Sequence, residues 1–376
     1  MTKAAELAKM GEVLTNGQIG GRRNIVINGA MQVAQRATSV TGLGDDNDEG
    51  YPTVDRFKVQ GNAGAGRFTM TQEAVTDLPG FPECIKLDCT TADTSIAAAE
   101  RLFIQTKFEG QDLQGIKKGT SAAEAITVSF YAKANASFKF VVALLDVDND
   151  RYAGSTFDVT SSWQRFIVTF PADTDDGSSP FGNDNADSLN LRFFIHGGSN
   201  YTSGTLSSTF ANTSNANTYD SDADSFYSST DNNFFLTGVQ LEVGSVATPF
   251  EHRSFGEELA LCQRYFQRVG GQSGVGSAYA GLGVGHMFNN TTAFLKSNWN
   301  ETRSAPSMSL SGPFRVANAV TDTNHTSSVT LAQSEFGTNS GYYKLTFGSA
   351  SATRGDGCRL DRNNDNTAAL LLDSEL

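Results

Sequence analysis

Residues that could carry chemistry are few in this sequence, and most of them fall in turn-forming stretches. The stretch "DVDNDR" places Asp146, Asp148 and Asp150 at alternate positions, a spacing that could wrap a hard cation such as calcium. The stretch lacks the glycine and the distal glutamate of an EF-hand loop, and it stands where a hairpin turn is needed. The sequence therefore predicts a hairpin here, with a calcium site as the alternative.

The remaining polar residues show no catalytic spacing. The histidines are far apart in the chain, and His196 continues a strand pattern in which a solvent-facing side chain is expected. No nucleophile elbow, "HExxH" motif or phosphate-binding loop occurs, and "GLGVGHMF" is interpreted as a flexible loop. The 41 carboxylates lie mostly in turn clusters. No acid–base pair stands out, so we expect a protein that is not an enzyme and that needs no cofactor.

The four cysteines give no sign of a disulfide or metal framework. Cys84 and Cys89 of "CIKLDC" are an odd number of residues apart, so a strand would point them to opposite faces. Cys262 and Cys358 lie far away in sequence, without metal-type spacing. We expect four unpaired thiols that are buried or idle.

One long polar segment, residues 199–233, is rich in serine, threonine and asparagine and also carries aromatic rings. Segments of this length between strands are commonly functional or disordered. Rings beside short polar side chains suit sugar binding, because a ring face stacks on the sugar while polar groups bond its hydroxyls. The alternative is that the rings only pin the segment to the body of the protein. The candidate sugar-binding residues are Tyr201, Phe210, Tyr219, Phe226 and Tyr227.

The elements that would hold these residues are predicted to be mainly strands. Charged residues make up only 18% of the chain and aromatic residues 10%, a balance that favours an all-β protein. Short period-two stretches separated by turn clusters run from Asn24 to Arg253. This spacing predicts a sandwich of two antiparallel sheets, most simply a jelly roll.

Individual strands allow specific expectations about which side chains are buried. "NIVINGAMQVAQR" is interpreted as two strands joined by a turn at Asn28 and Gly29. "AITVSFYAK", "WQRFIVTF" and "SLNLRFFIH" each place alternate apolar residues on one face. The last strand of the sandwich, "FFLTGVQLEVG", is predicted to align Phe235, Val239, Leu241 and Val243.

Helical patterns mark the ends of this sandwich and divide the chain into four parts. Residues 1–23 combine a short helix over 2–14 with a linker, and 24–253 form the jelly roll. Residues 254–271 form a linking helix, with Phe255, Leu259, Cys262, Phe266 and Val269 on one apolar stripe. Residues 272–376 form a smaller C-terminal β domain.

Charge and hydropathy exclude several classes of partner. The net charge of −13 argues against nucleic acid and anionic membranes, because each phosphate contact needs a lysine or arginine. The N-terminal stretch lacks the apolar core of a signal peptide, and no stretch is apolar enough to insert in a membrane. We therefore expect synthesis in a cytoplasm and no membrane insertion.

Four stretches occur in order over about residues 24 to 268: "NIVINGAMQVAQR", "YPTVDRF", "AITVSFYAKA" and "FFLTGVQLEVGSVATPFEHRSFGEELALCQRYF". Their combination resembles a family of bacteriophage tail-fibre and virion adhesion proteins. The predicted sandwich also resembles carbohydrate-binding modules of the galactose-binding type. The stretches "ETRSAPSMSLSG" and "ALLLDSEL" are similar to small β domains that end many such fibres.

We expect the N-terminus to join other virion proteins and the host partner to be a surface glycan or receptor. The resemblance itself implies a virion protein that forms a homotrimer and contacts the host surface. It assigns no sugar-binding residue. The sequence has no heptad or repetitive shaft, so a short fibre, a fibre tip or an accessory appendage is expected. Two alternatives remain open: a purely structural head or tail appendage, and a polysaccharide depolymerase.

Overall fold

The computed structural model describes Lys3 and residues 23–45, 49–62, 64–174, 179–270, 277–318, 324–325, 329–348 and 353–376. The predicted helix over residues 2–14 lies outside this part of the chain, apart from Lys3. The described residues form two compact units, which divide between Glu258 and Leu259. No helix among them is both long enough and apolar enough to span a bilayer.

The first unit is a sandwich of two six-stranded antiparallel sheets in a jelly-roll arrangement, as the sequence predicts. Sheet A has the order β1-β3-β4-β12-β6-β9, and sheet B has the order β11-β8-β7-β10-β5-β2. The strands are β1 Ser39–Leu43, β2 Lys58–Asn62, β3 Arg67–Ala74, β4 Glu83–Thr91, β5 Arg101–Glu109, β6 Ile126–Ala134, β7 Phe138–Asp146, β8 Arg151–Val159, β9 Gln164–Phe170, β10 Asp187–Gly197, β11 Ala211–Asn212 and β12 Asn233–Val243. Short helices occupy Gly110–Asp112, Gln114–Ile116, Ser199–Thr202, Asn215–Asn217 and Phe226–Ser228.

The main core lies between the two sheets and confirms most of the predicted strand faces. Ile126, Val128 and Phe130 of β6 are buried there, opposite Leu191 and Phe193 of β10 and their neighbours. Period-two alternation is a sound guide to the main core because successive side chains point to opposite faces of a sheet, although the outer face of β10 also carries buried residues such as Phe194 and His196. All four cysteines are buried and unpaired, as expected.

The predicted face of β12 is wrong in its first half. Phe234 and Leu236 are buried in the core, whereas Phe235 packs outside against the ring of Trp163. A bulge between Thr237 and Gln240, with Gly238 at a φ of +62°, shifts the alternation by one residue. Val239 and Leu241 therefore return to the core despite their odd spacing from Leu236.

The predicted pair of strands in "NIVINGAMQVAQR" is also wrong, although the turn at Asn28 is present. Residues 23–38 contain no strand, and Asn28 adopts a φ of 62° within the turn. Hydrogen bonds from side-chain amides take the place of strand pairing here. The side chain of Asn28 donates to the carbonyl of Val33 and accepts from its backbone amide, and Asn24 Oδ1 accepts from the backbone amide of Leu241 at 3.1 Å. Local side-chain bonds of this kind compete with strand pairing.

The second unit consists of two further antiparallel sheets, with orders β13-β22-β16 and β18-β17-β21-β14-β15-β20-β19. Its own core includes Met287, Leu295, Val316, Leu345 and Leu360. "GLGVGHMF" forms β14 rather than a flexible loop. The strands are β13 Phe266–Val269, β14 Gly281–Asn289, β15 Thr292–Asn298, β16 Ser307–Ser311, β17 Phe314–Asn318, β18 Asn324–His325, β19 Thr330–Phe336, β20 Ser340–Thr346, β21 Gly357–Arg362 and β22 Ala369–Asp373.

The linking helix is shorter than predicted. It spans Phe255–Gln263, and the chain then forms β13, which pairs with β22 from Phe266↔Asp373 to Val269↔Leu370. The predicted apolar stripe is therefore broken, because Phe266 and Val269 belong to a sheet. Aromatic and β-branched residues fit a strand once a partner strand is available, and a partner distant in sequence cannot be seen in a local helical pattern.

Candidate functional site

Two of the predicted sugar-binding rings cover one half of the outer face of sheet B. Tyr201 and Tyr219 are buried in a cluster with Phe103 and Phe194, and the rings of Phe194 and Tyr219 lie 5.7 Å apart. Tyr152 fixes the same segment by donating a hydrogen bond from its hydroxyl to the carbonyl of Thr218 at 2.7 Å. These rings pack against protein and present no face on which a sugar could stack.

The other three predicted rings lie elsewhere. Phe226 and Tyr227 are buried in the main core, where Phe226 meets Phe68 edge-on with ring centroids 6.3 Å apart. Phe210 is half-buried against that core. The placement of the five rings corrects their predicted role: the side chains anchor the long segment to the sandwich, which is the alternative that the sequence left open.

The aspartate hairpin at β7 and β8 does not gather its carboxylates around a cation. Asp146 is fully buried, and its Oδ2 lies 2.7 Å from the ammonium of Lys118. Asp148 accepts a hydrogen bond from the backbone of Gly182 at 2.9 Å, and Asp150 is exposed. Within the described ranges no group of three or more His, Cys, Asp or Glu side chains could hold a metal ion. The hairpin is therefore observed, and the ammonium of Lys118 supplies the positive charge beside Asp146.

His196 is fully buried rather than solvent-facing, and it lies between a serine and a glutamate. Its Nδ1 is 2.8 Å from Ser225 Oγ, and its Nε2 is 3.3 Å from Glu100 Oε2. Burial, opposed by the bond to Glu100, lowers the pKa of His196. Ser225 Oγ also accepts from the backbone of Tyr227, so this set fastens the long segment to sheet B. Because His196 and Glu100 are buried, no substrate can reach them from solvent.

The other half of the outer face of sheet B carries a set of polar side chains that sequence analysis missed, of which Gln105 and Asn190 are buried and the rest are half-buried. Strand alternation directs them away from the core, because their immediate neighbours Val59, Ile104 and Leu191 are core residues. We call this set the polar face. It consists of Lys58, Gln60 and Asn62 from β2, Arg101, Gln105 and Lys107 from β5, and Asn190 and Arg192 from β10.

A chain of hydrogen bonds runs across the polar face. Gln105 Nε2 donates to Gln60 Oε1 at 3.2 Å, and Arg192 Nε donates to Gln105 Oε1 at 3.1 Å. Asn190 is 3% exposed, yet its Oδ1 has no hydrogen-bond partner among the described residues. A buried amide oxygen without a partner is costly and therefore uncommon in folded proteins.

The two arginines of the polar face form no ion pair with a described residue, although the charge of Asp187 acts on Arg192. Among the described residues no carboxylate pairs with Arg101 or Arg192, whereas Lys107 is 2.8 Å from Asp187. Both guanidinium groups lie over the ring of Phe103, at 5.6 and 4.7 Å from its centroid. Burial, aided by the nearby positive charge of Arg101, lowers the pKa of Arg192 to about 10.

A cleft of about 580 Å³ lies elsewhere, between the edge strands β8 and β9, and is lined by residues 155–158 and 164–169. The rings of Phe157 and Phe166 within it belong to the packed core, 5.3 Å apart. Its arginine, Arg165, already donates to the carbonyl of Thr248. The polar face has two arginines without an ion pair and, unlike this cleft, an unpartnered buried oxygen, so the polar face is the stronger candidate site.

The second unit has an exposed apolar surface on the outer face of its seven-stranded sheet. Val284 of β14 is 68% exposed, and Tyr342 of β20 is 58% exposed. Strand β15 lies between these two strands in the sheet. Phe288 and Phe294 lie nearby with ring centroids 5.3 Å apart. We call these four residues the ring face. Its neighbours Lys296 and Lys344 lie over the rings of Tyr342 and Phe288.

Comparison with known proteins finds no matching family model and no matching curated protein. Among solved structures, the chain is similar to a carbohydrate-binding module described as CBM4, at 13% identity and a TM-score of 0.30, covering 57% of this chain and 97% of the module. A family 30 carbohydrate-binding module matches at 11% identity and a TM-score of 0.29, with 62% and 93% covered. A family 11 module from Clostridium thermocellum matches at 11% identity and a TM-score of 0.26, with 57% and 98% covered. At these TM-scores the likenesses carry no argument about this protein.

Proposed function

We propose that this protein is an adhesive component of a bacteriophage virion, a short fibre or appendage that binds saccharides of the host surface through the polar face. The observation that carries the proposal is the bonded set of Gln60, Gln105 and Arg192 beside the unpartnered oxygen of Asn190. These groups lie on a rigid sheet, which keeps their spacing fixed.

The chemistry of these side chains suits sugars. Carboxamide groups both donate and accept hydrogen bonds, as neighbouring sugar hydroxyls do. Gln60 and Asn62 are half-buried on the edge strand β2, so a ligand can reach them from the side of the sheet. Held on strands, these groups have little freedom left to lose on binding, which favours recognition.

The virion assignment and the homotrimer rest on the sequence resemblance, and the ring face supports self-association. Contiguous exposed apolar surface commonly marks an interface between proteins. A row across this face runs from Lys296 through Tyr342 to Glu335, so it carries both charge signs and can complement a second copy. Three copies would also raise a weak single-site affinity by avidity.

Saccharide binding is tested with the purified full chain on host cell-wall polysaccharide and on an array of glycans. The Gln60→Ala variant should bind more weakly by about tenfold, since it removes hydrogen bonds on the polar face. Thr69→Ala, on the outer face of sheet A, is the matched control and should bind as the parent does. Absence of binding to every glycan and to host material would refute the proposed function.

Self-association is tested by measuring mass with light scattering. The parent should be a trimer, and Val284→Glu should dissociate it because the new charge would be buried in the interface. Ile167→Glu replaces another exposed aliphatic residue, on β9 of the sandwich, and should leave the mass unchanged. A monomeric parent would remove the argument for avidity.

The virion assignment is checked separately, by labelling intact particles with an antibody against this protein.

A further inference from the structure

We infer that the ligand of the polar face is an acidic saccharide, one whose sugar carries a carboxylate or sulfate oxyanion. This inference rests on the proposed function and narrows it from sugars in general to negatively charged ones. It depends on how little negative charge surrounds Arg101 and Arg192.

Arg101 and Arg192 are placed so that they can bind an anion supplied by a ligand. Neither Arg101 nor Arg192 forms an ion pair with a described residue, and Arg101 Nε is buried without a hydrogen-bond partner. The guanidinium of Arg101 lies over two rings, 5.3 Å from the centroid of Tyr201 and 5.6 Å from that of Phe103. A guanidinium fixed in this way loses little freedom when it bonds an oxyanion with two parallel hydrogen bonds.

The two lysines of the polar face already have acidic partners. Lys58 lies on the same face, 3.9 Å from Glu49, and burial together with the charge of Lys107 lowers its pKa. Lys107 is bonded to Asp187, so the arginines remain the positive groups that lack a partner. A ligand oxyanion would relieve the mutual repulsion between Arg101 and Arg192, while the half-buried Gln60 bonds a sugar hydroxyl beside it.

The net charge of the protein makes this inference specific. At −13 the chain as a whole repels polyanions, so general electrostatic attraction cannot account for binding of an acidic polymer. Binding of such a polymer needs a local site whose positive charge exceeds the surrounding negative field. The polar face supplies such a site.

The test uses ligands that differ only in charge. Polygalacturonate, alginate and hyaluronan are compared with their neutral methyl esters, and dextran sulfate is compared with dextran, each titrated calorimetrically into the full chain. We expect at least one acidic polymer to bind at least about tenfold more tightly than its neutral counterpart. Preference for a carboxylated or for the sulfated polymer identifies the source of the oxyanion.

The variants Arg192→Gln and Arg101→Gln should each lose at least about tenfold in affinity for the acidic polymer and keep whatever affinity the neutral ester shows. Lys86→Gln is the control: its ammonium lies 5.8 Å over the ring of Phe235 on the opposite side of the sandwich. Equal binding of acid and ester would overturn the inference and leave saccharide binding standing. Binding of neutral array glycans alone would do the same, whereas no binding to any glycan would refute the proposed function itself.

Discussion

The buried ion cluster beneath the aspartate hairpin provides the sharpest test of how the sandwich is stabilised. Lys118 Nζ lies 2.7 Å from Asp146 Oδ2 and 3.7 Å from Asp173 Oδ2, and it donates to the carbonyl of Ser179 at 3.1 Å. The side chains of Lys118 and Asp146 are 1% and 0% exposed. The perturbation is Lys118→Met, which keeps most of the apolar stem and removes the charge.

The expected loss in the free energy of unfolding depends on which partners Asp146 and Asp173 retain when the ammonium of Lys118 is removed. Asp173 retains Arg151, whose Nε and Nη2 lie 2.8 and 2.9 Å from its two oxygens. Among the described residues, Asp146 retains hydrogen bonds only from Asn149, whose backbone and side chain donate at 3.2 and 3.0 Å. A buried carboxylate left without its cation costs about 3–5 kcal/mol in the free energy of unfolding. Asp146→Asn in the same protein removes that charge and should restore most of the loss.

The assay is urea unfolding followed by tryptophan fluorescence. Trp163 lies in the sandwich and Trp299 in the second unit, so a Trp299→Phe background makes the signal report on the sandwich. Lys117→Met is the control, since Lys117 is 52% exposed in its pair with Glu124 and should cost no more than about 1 kcal/mol. Equal effects of the two methionine variants, or a double variant no more stable than Lys118→Met, would refute the reasoning.

Three further outcomes concern metal, protonation and backbone. Calcium or EDTA should leave the melting temperature unchanged, because the hairpin carboxylates do not converge on a cation site; a calcium-dependent rise of several degrees would contradict this. Burial lowers the pKa of His196, so the unfolded state takes up a proton more readily than the folded state as the pH falls. The free energy of unfolding of the parent, relative to that of His196→Gln, should therefore be constant above about pH 6.5 and should decrease as the pH falls towards 5 in urea titrations. A difference that does not change with pH would contradict this prediction. Gly238→Ala should cost about 2 kcal/mol or more, because φ is +62° and an added Cβ would lie 2.8 Å from Phe81 and Tyr131. Gly115→Ala, whose Cβ would lie 3.9 Å from its nearest neighbour, should cost much less in the same urea titration.

Sequence reasoning succeeds where a strand keeps a regular alternation along the core. The alternation in β6 and β10 predicts the residues that enter the main core, because β6 pairs regularly with β9 and β10 pairs regularly with β7. It fails at β12, where a bulge at Gly238 moves the alternation by one residue. A glycine inside a strand pattern is itself a signal for such a bulge, so Gly238 offers the clue that could have corrected the face.

The site was harder to predict because its parts are distant in sequence. β2, β5 and β10 are neighbours only in sheet B, and each contributes two or three polar residues with ordinary strand spacing. Within any one strand these residues look like solvated positions on an outer face. That Arg101 and Arg192 lack acidic partners is a property of three-dimensional packing, which no local pattern contains.

The long segment of residues 199–233, with its aromatic rings, nevertheless lies beside the polar face, and this position gives the segment an indirect role. Tyr201 and Tyr219 seal the half of the sheet face that holds Phe103 and Phe194, and the sealed rings then support the guanidinium of Arg101. Without the segment, Phe103 would face water and Arg101 would be free to reach solvent instead of lying between two rings. In the proposed binding, the segment would contribute by holding this charge in place, and substitution of Tyr201 should act through Arg101 rather than through contact with a sugar.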